Sequence, residues 1–380
     1  MIFDRIISQY DEHSEEILFL IDKFKVNKIV FIIDKKRADK IKASKECYKK
    51  ILSNKEIIFE VIDNYSVDFL EDILKRNNGA LINLSGGDRI VALLLLKLSM
   101  KLGMQSIYVD FMNKRRYVFA DKCRIIDSDL KDTSLMEVFY LSGANVIRDT
   151  TDICDKKDVI DISTKILFNI DLWHRYKQKL YDNSIFRHNN KQIENIDIDI
   201  NKINKNELEL LNKIIKYLIS INGIEIKKDE SLIRTRFKNN YLKSMLFKSG
   251  TWLEVITYLA VKGIKEIDEV KCGVLFSWGF NAEIVKNEID VIAIKDSVLI
   301  CISCKDSDKY DDEALNELSI YSDRLGGKNV VKILVATKQP QKFSVIKRAK
   351  EMDIELVVLE EKSINYLQNS LRVIINNKIK

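Results

Sequence analysis

Residues 2–110 alternate between short apolar runs and longer amphipathic segments, and this alternation constrains the fold more than any other feature. The apolar runs are IFDRII, KIVFII, EIIFEVI, GALINL and QSIYVDF, and segments such as EEILFLIDKF and VDFLEDILKR separate them. Strands that alternate with helices pair in parallel, because each helix carries the chain back across the sheet before the next strand. The sequence therefore predicts a doubly wound parallel sheet in the N-terminal part.

The polar stretch NNKQIENIDIDINKINKNE at 189–207 has a biased composition and no clean period, so we interpret it as a linker. A chain of 380 residues is too long for one core, which agrees with at least two domains. Helix-like segments at 207–223 and 251–263 open a second half of mixed strands and helices. We predict a sheet domain at 1–150, a helical connection and linker at 151–206, and a second α/β domain with a helical N-terminal part at 207–380.

Composition and charge narrow the class of protein. The N-terminus lacks a basic region followed by an apolar run, and no stretch reaches the roughly 20 apolar residues that span a bilayer. The six cysteines are scattered, as expected of packed, reduced thiols. A net charge of +6 and a pI near 8.7 permit contact with phosphates without demanding it. We expect a cytoplasmic protein with no membrane partner.

A glycine-rich turn, Ser85-Gly86-Gly87, separates a predicted strand from a helix that begins near Asp88. Backbone N–H groups and the positive end of the helix dipole suit a phosphate at such a junction, and Arg89 adds a charge-assisted contact. The alternative is structural, with Ser85 or Asp88 capping the helix and the glycines only tightening the turn. The spacing leaves both interpretations open.

Ser8, Gln9 and Tyr10 come immediately after the predicted first strand, and we expect them at the edge of the same crevice, because the carboxyl ends of parallel strands meet there. The stretch N-L-S-G-G-D-R at 83–89 resembles the N-x-[ST]-G-G-[TD]-[KR] motif of CRISPR-associated Rossmann-fold (CARF) sensor domains, over about residues 1–130. The resemblance implies a Rossmann-like domain that binds a cyclic oligoadenylate between the two subunits of a homodimer. The implied ligand-binding residues are Ser8, Gln9, Tyr10, Ser85, Gly86, Gly87, Asp88 and Arg89.

The segment NEIDVIAIKDSVLICISCK at 287–305 predicts a hairpin, because two runs of β-branched and aliphatic residues flank a short polar turn. Side chains two apart in a strand share a face. Glu288 and Asp290 therefore form one same-side pair, and Ser303 and Lys305 form another. Carboxylates that hold Mg²⁺ or Mn²⁺ and a lysine that stabilises developing charge are what metal-assisted phosphodiester hydrolysis needs.

With Glu254 on the preceding helix, Asp290 and Lys305 resemble the site of the PD-(D/E)xK restriction-endonuclease superfamily. Many members carry Glu where this chain has Ser303, and a neutral hydroxyl is the weaker ligand. We therefore expect Glu254, Asp290 and the carbonyl of Cys304 to hold Mn²⁺ or Mg²⁺, with Glu288 as an alternative oxygen donor and Ser303 holding a metal-bound water. The predicted catalytic residues are Glu254, Asp290, Ser303 and Lys305.

The order G-T-W-L-E, N-E-I-D-V, I-S-C-K and E-A-L-N-E-L resembles one branch of this superfamily more closely. That branch is the ancillary nucleases of type III CRISPR systems, in which a CARF sensor is fused to the nuclease core. The resemblance spans nearly the whole chain and implies a restriction-endonuclease-like C-terminal α/β domain. It further implies a metal-dependent endonuclease that cuts DNA and/or RNA in antiviral defence and is allosterically activated by cyclic tetra-adenylate.

Other interpretations remain open. Thr251-x-x-Glu254 is also a capping box, and Asp290 and Lys305 are also residue types that protect strand edges and ends. An alternative function is a ligand-sensing regulator with an inactive nuclease-like domain, in which a winged-helix-like module at 207–250 binds nucleic acid. Its phosphate-facing residues would be Lys227, Lys228, Arg234, Arg236 and Lys238.

Overall fold

The structure is a computed structural model that describes residues 2–63, 66–111, 113–127, 133–179, 182–189, 193–247, 250–278 and 286–379. Its first sheet contains, within these ranges, the strands β1 (Arg5–Gln9), β2 (Lys28–Asp34), β3 (Glu56–Ile62), β4 (Leu81–Asn83), β5 (Ser106–Asp110), β6 (Arg115–Phe119) and β7 (Cys123–Asp127). They lie in the order β3-β2-β1-β4-β5-β6-β7. The first five pair in parallel, and β6 and β7 add an antiparallel extension. The predicted parallel sheet is confirmed.

Helices cover both faces of this sheet. They are α1 (Glu15–Phe24), α2 (Ile41–Ile51), α3 (Val67–Arg76) and α4 (Arg89–Lys101). Adjacent residues of β1 point to opposite sides, so Ile6 packs with α1 and α2 while Ile7 packs with α3 and α4. Both isoleucines are fully buried, and each contributes about 1.5–3 kcal/mol to stability. Because the strand order reverses between β1 and β4, a crevice opens at their carboxyl ends.

A connecting region follows, made of α5 (Leu135–Leu141), β8 (Ala144–Arg148), α6 (Thr151–Cys154), α7 (Lys157–Phe168) and α8 (Ile170–Lys177). Next comes a small antiparallel sheet of β9 (Phe186–His188), β10 (Asn195–Asp199), β11 (Ile224–Lys228) and β12 (Leu232–Phe237), with helices α9 (Lys205–Ser220) and α10 (Asn240–Phe247). The strand order is β11-β12-β10-β9.

The interpretation of residues 189–207 as a linker is corrected by this small sheet. Strand β10 lies within that stretch and pairs with both β9 and β12. Its side chains alternate, since Ile196 and Ile198 are buried between half-buried polar residues. That period of two is only five residues long, and the surrounding Asn, Asp and Lys residues hide it in the sequence.

The second large sheet contains β13 (Glu269–Trp278), β14 (Lys286–Lys295), β15 (Val298–Lys305), β16 (Val331–Ala336) and β17 (Ile354–Val358). Its helices are α11 (Thr251–Lys262), α12 (Asp312–Gly326), α13 (Phe343–Glu351) and α14 (Ile364–Lys378). The strand order is β17-β16-β15-β14-β13-β8. The predicted hairpin is confirmed, because β14 and β15 pair antiparallel across their turn. One face packs on α11 and α14, and the other packs on α12 and α13.

The edge strand of this second sheet comes from the region that the sequence places in the first domain. Strand β8, at 144–148, pairs antiparallel with β13. A boundary at residue 150 would therefore cut the edge strand from its own sheet. All six cysteines are free thiols. Within the described ranges, no helix is both long and apolar enough to cross a bilayer.

Candidate functional site

The candidate catalytic residues lie where β14 and β15 separate. The ladder between these strands ends at the pair Val291 and Ile302. Beyond it, the carboxylate of Asp290 fills the gap, where Oδ2 accepts a hydrogen bond from the Cys304 N–H at 2.7 Å and one from Ser303 Oγ at 3.3 Å. The aspartate is thus held between the two strands with one oxygen in contact with β15.

The electrostatics of Asp290 identify its charged neighbours. Burial raises the pKa of the Asp290 carboxyl, and the Glu288 charge raises it further. The Cys304 N–H, the Lys305 charge and Ser303 act in the opposite direction. Lys305 and Glu288 therefore both lie within electrostatic reach of Asp290, and a nearby cation would favour its ionised form.

Glu254 approaches the same region from α11, which packs across β13, β14 and β15. The link runs through Cys304, whose thiol is buried and donates to Thr257 Oγ1 at 3.4 Å. Burial raises the pKa of this thiol well above its usual range, the charges of Asp290 and Glu254 raise it as well, and Lys305 opposes them. The charges of Glu254, Asp290 and Lys305 thus all act on the Cys304 thiol.

The capping-box explanation of Glu254 does not apply. Helix α11 begins at Thr251 itself, with Gly250 in the capping position. The Thr251 hydroxyl is buried and has no hydrogen-bond partner among the described residues. Glu254 is half-buried in the first helical turn, and a capping box with Thr251 does not account for it.

The donor set near Asp290 suits a hard cation that keeps several waters. Among the described residues, no group of three or more His, Cys, Asp or Glu side chains converges as a metal cage. Mg²⁺ and Mn²⁺ sites commonly use one or two carboxylates, a carbonyl and water molecules. Asp290, Glu254 and the Cys304 carbonyl match that requirement, whereas Ser303 already donates its hydroxyl to Asp290.

Sequence reasoning missed Asp306, which follows Lys305 directly. Its buried carboxylate accepts hydrogen bonds from the indoles of Trp173 and Trp252, each at 2.9 Å. The only sequence signal is that an acidic residue directly follows an apolar strand. This signal does not tell whether the carboxylate is buried or exposed. Trp173 is 133 residues away in the chain, so no local pattern announces the contact.

In the first domain, the loop before α4 is organised from within. Asn83 Oδ1 accepts hydrogen bonds from the Ser85 N–H at 3.1 Å and from Ser85 Oγ at 2.7 Å, and Ser85 Oγ accepts one from the Val109 N–H at 2.9 Å. Asp88 caps α4 through the N–H groups of the next turn. The structural interpretation of Asp88 is therefore confirmed.

The loop N–H groups that would suit a phosphate already contact protein oxygens. Asp11 Oδ2 accepts from the Gly87 N–H at 2.8 Å, and Gln9 Oε1 accepts from the Asp88 N–H at 2.7 Å. Gly87 has φ +84, and a Cβ there would lie 2.2 Å from the Gln9 side chain. Glycine is thus required by both the backbone conformation and the close approach.

A groove of about 400 Å³ opens beside this loop. Its lining residues are Gln9, Tyr10, Asp11, Ile33, Asp34, Lys36, Arg37, Gly87 and Asp88. Ser85, Gly86, Gly87 and Arg89 also line a more apolar neighbouring cavity. Ser8, by contrast, is fully buried and accepts a hydrogen bond from Asn83, so it supports the loop from below.

Lys36 and Arg37 were missed in the sequence although they add positive charge to the groove. They lie in a 3-10 turn, Lys35–Lys40, directly after β2. Their signal was available, because basic residues at the carboxyl end of a parallel strand next to β1 fall at the crevice.

Comparison with known proteins bears on both halves. Residues 242–375 match the family model described as the endonuclease domain of Card1-like proteins. The predicted resemblance is confirmed for the nuclease half, and no curated protein matches the chain.

Solved structures share the fold of nearly the whole chain. Protein VC1899 from Vibrio cholerae matches with a TM-score of 0.75 at 15% identity, covering 98% of this chain and 98% of that one. Can2 from Sulfobacillus thermosulfidooxidans, solved in complex with cyclic tetra-adenylate, matches with a TM-score of 0.70 at 14% identity, covering 99% of each. A type III CRISPR defence DNA nuclease activated by cyclic oligoadenylate matches with a TM-score of 0.55 at 12% identity, covering 95% of this chain and 49% of that one. The segment that matches the Card1-like model is thus joined to the N-terminal parallel sheet in a fold that these structures share.

Proposed function

We propose that this protein is a metal-dependent endonuclease, activated by cyclic tetra-adenylate, that cuts DNA and/or RNA in type III CRISPR antiviral defence in the cytoplasm. The observation that supports the proposal is that Asp290 bonds to Ser303 and Cys304, and that the charges of Glu254 and Lys305 act on the same Cys304 thiol, inside the segment that matches the Card1-like endonuclease model. A helical glutamate, a strand aspartate and a lysine on the neighbouring strand are the residue types that phosphodiester hydrolysis needs.

Mn²⁺ or Mg²⁺ is the cofactor that the residues fit. Asp290 and Glu254 would hold the ion together with the Cys304 carbonyl, and the ion would activate water and polarise the phosphate when bound. Lys305, in electrostatic reach of Asp290, supplies a positive charge for the phosphate as negative charge develops on it. Ser303 orients the Asp290 carboxylate through its hydroxyl.

The activator would bind in the groove of the first domain. Lys36 and Arg37 supply positive charge to this groove, and the backbone of Gly87 and Asp88 forms part of its lining. Two structural neighbours support a cyclic oligoadenylate as the ligand, since Can2 was solved with cyclic tetra-adenylate and the defence nuclease is described as activated by this class of molecule.

We also propose a homodimer that closes the groove. Helix α4 exposes Ile90, Leu93 and Met100 to 65%, 61% and 64%, directly beyond the groove loop. Exposed apolar residues in a row on one helix face favour burial against a second copy, and a two-fold symmetric pair of loops suits a cyclic ligand. The neighbouring apolar cavity, which Leu93 and Tyr108 line, continues this surface.

Cleavage by the purified protein tests the proposed function. Plasmid DNA and single-stranded RNA are incubated with Mn²⁺, with and without cyclic tetra-adenylate. We expect cleavage that requires both additions, and loss of at least about 100-fold in rate for Lys305→Ala, the usual cost of removing one electrostatic stabiliser. Binding of cyclic tetra-adenylate, measured by calorimetry, is expected to stay unchanged.

The matched control is Lys216→Ala, which removes an exposed lysine from α9 and is expected to cleave like the wild type. Cleavage by Lys305→Ala at the wild-type rate would contradict the assignment of the site. Absence of cleavage by the wild-type protein with either nucleic acid would contradict the proposal that the protein is an endonuclease.

A regulator that binds nucleic acid without cutting it is the second candidate. One observation favours it, since β11 and β12 expose Lys227, Arg234 and Arg236, and Lys227 lies directly opposite Arg234. Acidic partners offset part of this charge, because Arg234 lies 3.5 Å from Asp229 and Lys238 lies 3.6 Å from Glu225. Gel-shift binding without any nicked product in the cleavage assay would favour the regulator.

A further inference from the structure

Asp306 is a buried carboxylate that the proposed mechanism leaves unused. It follows Lys305 at the end of β15, and only 1% of its side chain is exposed. Burying a charged group costs several kcal/mol unless donors surround it. The donors around Asp306 therefore indicate what this residue holds in place.

One oxygen of Asp306 joins two helices. The indole N–H groups of Trp173 and Trp252 both donate to Oδ2, each at 2.9 Å. The Lys177 ammonium lies 3.0 Å from the same oxygen and also donates to the Asp306 carbonyl. Trp173 and Lys177 belong to α8 and Trp252 to α11, so one carboxylate oxygen fixes both helices to the end of β15.

The other oxygen joins the neighbouring strand. Thr337 Oγ1 donates to Oδ1 at 3.1 Å, and His174 Nε2 lies 2.8 Å from it. The Thr337 N–H donates to the Lys305 carbonyl at 3.1 Å, so the ends of β15 and β16 are tied twice. Burial acts to raise the pKa of Asp306, but hydrogen bonds and the Lys177 charge outweigh it and lower the pKa.

These contacts connect the elements that carry the candidate catalytic residues. Trp252 precedes Glu254 by two residues on α11, and Asp306 follows Lys305 on the chain. A shift of α11 along β15 would separate Glu254 from Lys305, and the shared Asp306 oxygen opposes that shift. Helix α8, from the connecting region, takes part through its tryptophan and lysine.

We propose that Asp306 is a positioning residue of the nuclease centre, which locks α8 and α11 to the end of β15 so that Glu254 and Lys305 act on the same phosphate. The inference rests on the proposed function. Asp306 takes no direct part in the reaction, because both its oxygens are occupied by protein donors.

Asp306→Asn tests the inference, because it keeps the shape of the side chain but replaces one acceptor oxygen by an N–H group. Whichever way the amide is turned, one set of donors loses its acceptor. We expect kcat to fall roughly 100-fold, the effect of a displacement of about 1 Å at a reacting centre, with KM for nucleic acid unchanged. Trp173 and Trp252 are two of the three tryptophans in the chain, so the fluorescence emission spectrum is expected to change as well.

Glu207→Gln is the matched control. Glu207 is also a buried carboxylate, with 3% exposed, but it caps α9 and pairs with Lys179 at 2.5 Å. We expect its kcat and emission spectrum to match those of the wild type. A drop in kcat for Asp306→Asn and not for Glu207→Gln separates positioning from a general loss of stability.

A folded Asp306→Asn variant with wild-type kcat would overturn the inference. Should that variant not fold, Trp252→Phe removes a single donor, and an unchanged kcat for this milder variant would overturn it equally. Wild-type protein without any cleavage is instead a failure of the proposed function. The deciding measurement is then Mn²⁺ affinity by calorimetry, which Asp306→Asn is expected to weaken and which an inert Asp306 would leave unchanged.

Discussion

At the scale of single residues, the adjacent carboxyl groups of Glu15 and Glu16, at the start of α1, are weaker acids than usual. Burial raises the pKa of Glu15 to about 7 and that of Glu16 to about 8. Glu16 Oε1 accepts a hydrogen bond at 3.0 Å from Nδ2 of Asn83. Asn83 is the residue whose side chain organises the loop before α4. The protonation state of Glu16 therefore affects the same side chain that holds Ser85.

Glu16→Gln is expected to stabilise the protein at alkaline pH. A folded-state pKa above the unfolded value means that the folded protein binds the proton more tightly, so stability is full below the unfolded pKa and is lost as pH rises through the folded pKa. From pH 5 to 9 we expect the wild type to lose a few kcal/mol that the variant retains. Thermal melts at both pH values measure the difference.

Glu361→Gln, at an exposed position, serves as the control and is expected to change neither melt. Identical pH dependence in Glu16→Gln and the wild type would show that Glu16 ionises normally.

Asp11→Asn is expected to tighten the binding of cyclic tetra-adenylate. Asp11 places a negative charge on the Gly87 N–H, where a phosphate would bind. The amide oxygen of Asn can still accept that hydrogen bond, so the loop is kept while the charge is removed. We expect a gain of about 1 kcal/mol, roughly fivefold in affinity, that shrinks at high salt.

Calorimetry at low and high salt measures this gain. Asp22→Asn removes an exposed charge from α1 and is the control, for which we expect no change. Equal or weaker binding by Asp11→Asn would mean that the carboxylate helps the ligand instead of competing with it.

At the scale of secondary structure elements, a glycine in strand β13 allows this strand to lie close to the connecting region. Gly273 has φ +56, and a Cβ there would lie 2.3 Å from Thr150 Oγ1. It lies on β13 between Cys272 and Val274, which pair with Val291 and Ile289 on either side of Asp290. The strand next to the candidate site thus depends on the absence of a side chain.

Gly273→Ala is expected to destabilise the protein by about 2–4 kcal/mol, from backbone strain and the clash together. Gly103→Ala is the matched control, since Gly103 also has positive φ (+64) but a Cβ there would meet no atom of the described residues within 4 Å. We expect about 1 kcal/mol there. Urea unfolding of both variants measures the two costs, and equal losses would mean that the Thr150 contact is soft.

The elements also show what a sequence can predict. The hairpin of β14 and β15 is predictable because its two apolar runs are long and the turn at 295–297 interrupts them clearly. Strand β10 escapes prediction because five residues with period two lie in a polar stretch. A local pattern thus predicts an element when the run of apolar or alternating residues is long enough to stand out from the composition of the surrounding sequence.

Contacts between distant segments could not be predicted in this way. The pairing of β8 with β13 and the cluster around Asp306 join segments more than a hundred residues apart. The residue types of the candidate site were available from the hairpin and from α11, but the thiol of Cys304 between them follows only from three-dimensional packing.

At the scale of the whole molecule, the N-terminal parallel sheet and the second large sheet meet at several points. A cavity of about 950 Å³ lies between them, with Asp11 and His13 on one side and Asp323 and Gly327 on the other. Lys114, in the turn between β5 and β6, forms an ion pair of 2.6 Å with Asp296 in the turn between β14 and β15. Asp11 therefore lines both the groove beside the loop before α4 and the cavity between the sheets.

Lys114→Ala is expected to weaken activation without weakening ligand binding. The ion pair reaches the hairpin that carries Asp290, so its loss should reduce the coupling between the two sites. A partly exposed pair contributes up to about 1 kcal/mol, so we expect a reduction of up to roughly fivefold in the stimulation of cleavage by cyclic tetra-adenylate.

Lys213→Ala breaks a comparable pair, Lys213 with Glu209 at 3.0 Å, inside a single helix and is the control. Stimulation factors and binding constants are measured for both variants. An identical loss in the two would show that the effect is not specific to the contact between the sheets.

The origin of strand β8 has a consequence for any attempt to divide the protein. The second large sheet borrows its outermost strand from residues that precede most of the connecting region. A shortened chain that starts at residue 151 would leave backbone donors and acceptors of β13 unpaired. These groups can pair with strands of other molecules, so we expect such a chain to aggregate. We therefore expect protease digestion between the halves to release a nuclease fragment that does not aggregate only if the cut falls before residue 135, ahead of the helix that leads into β8.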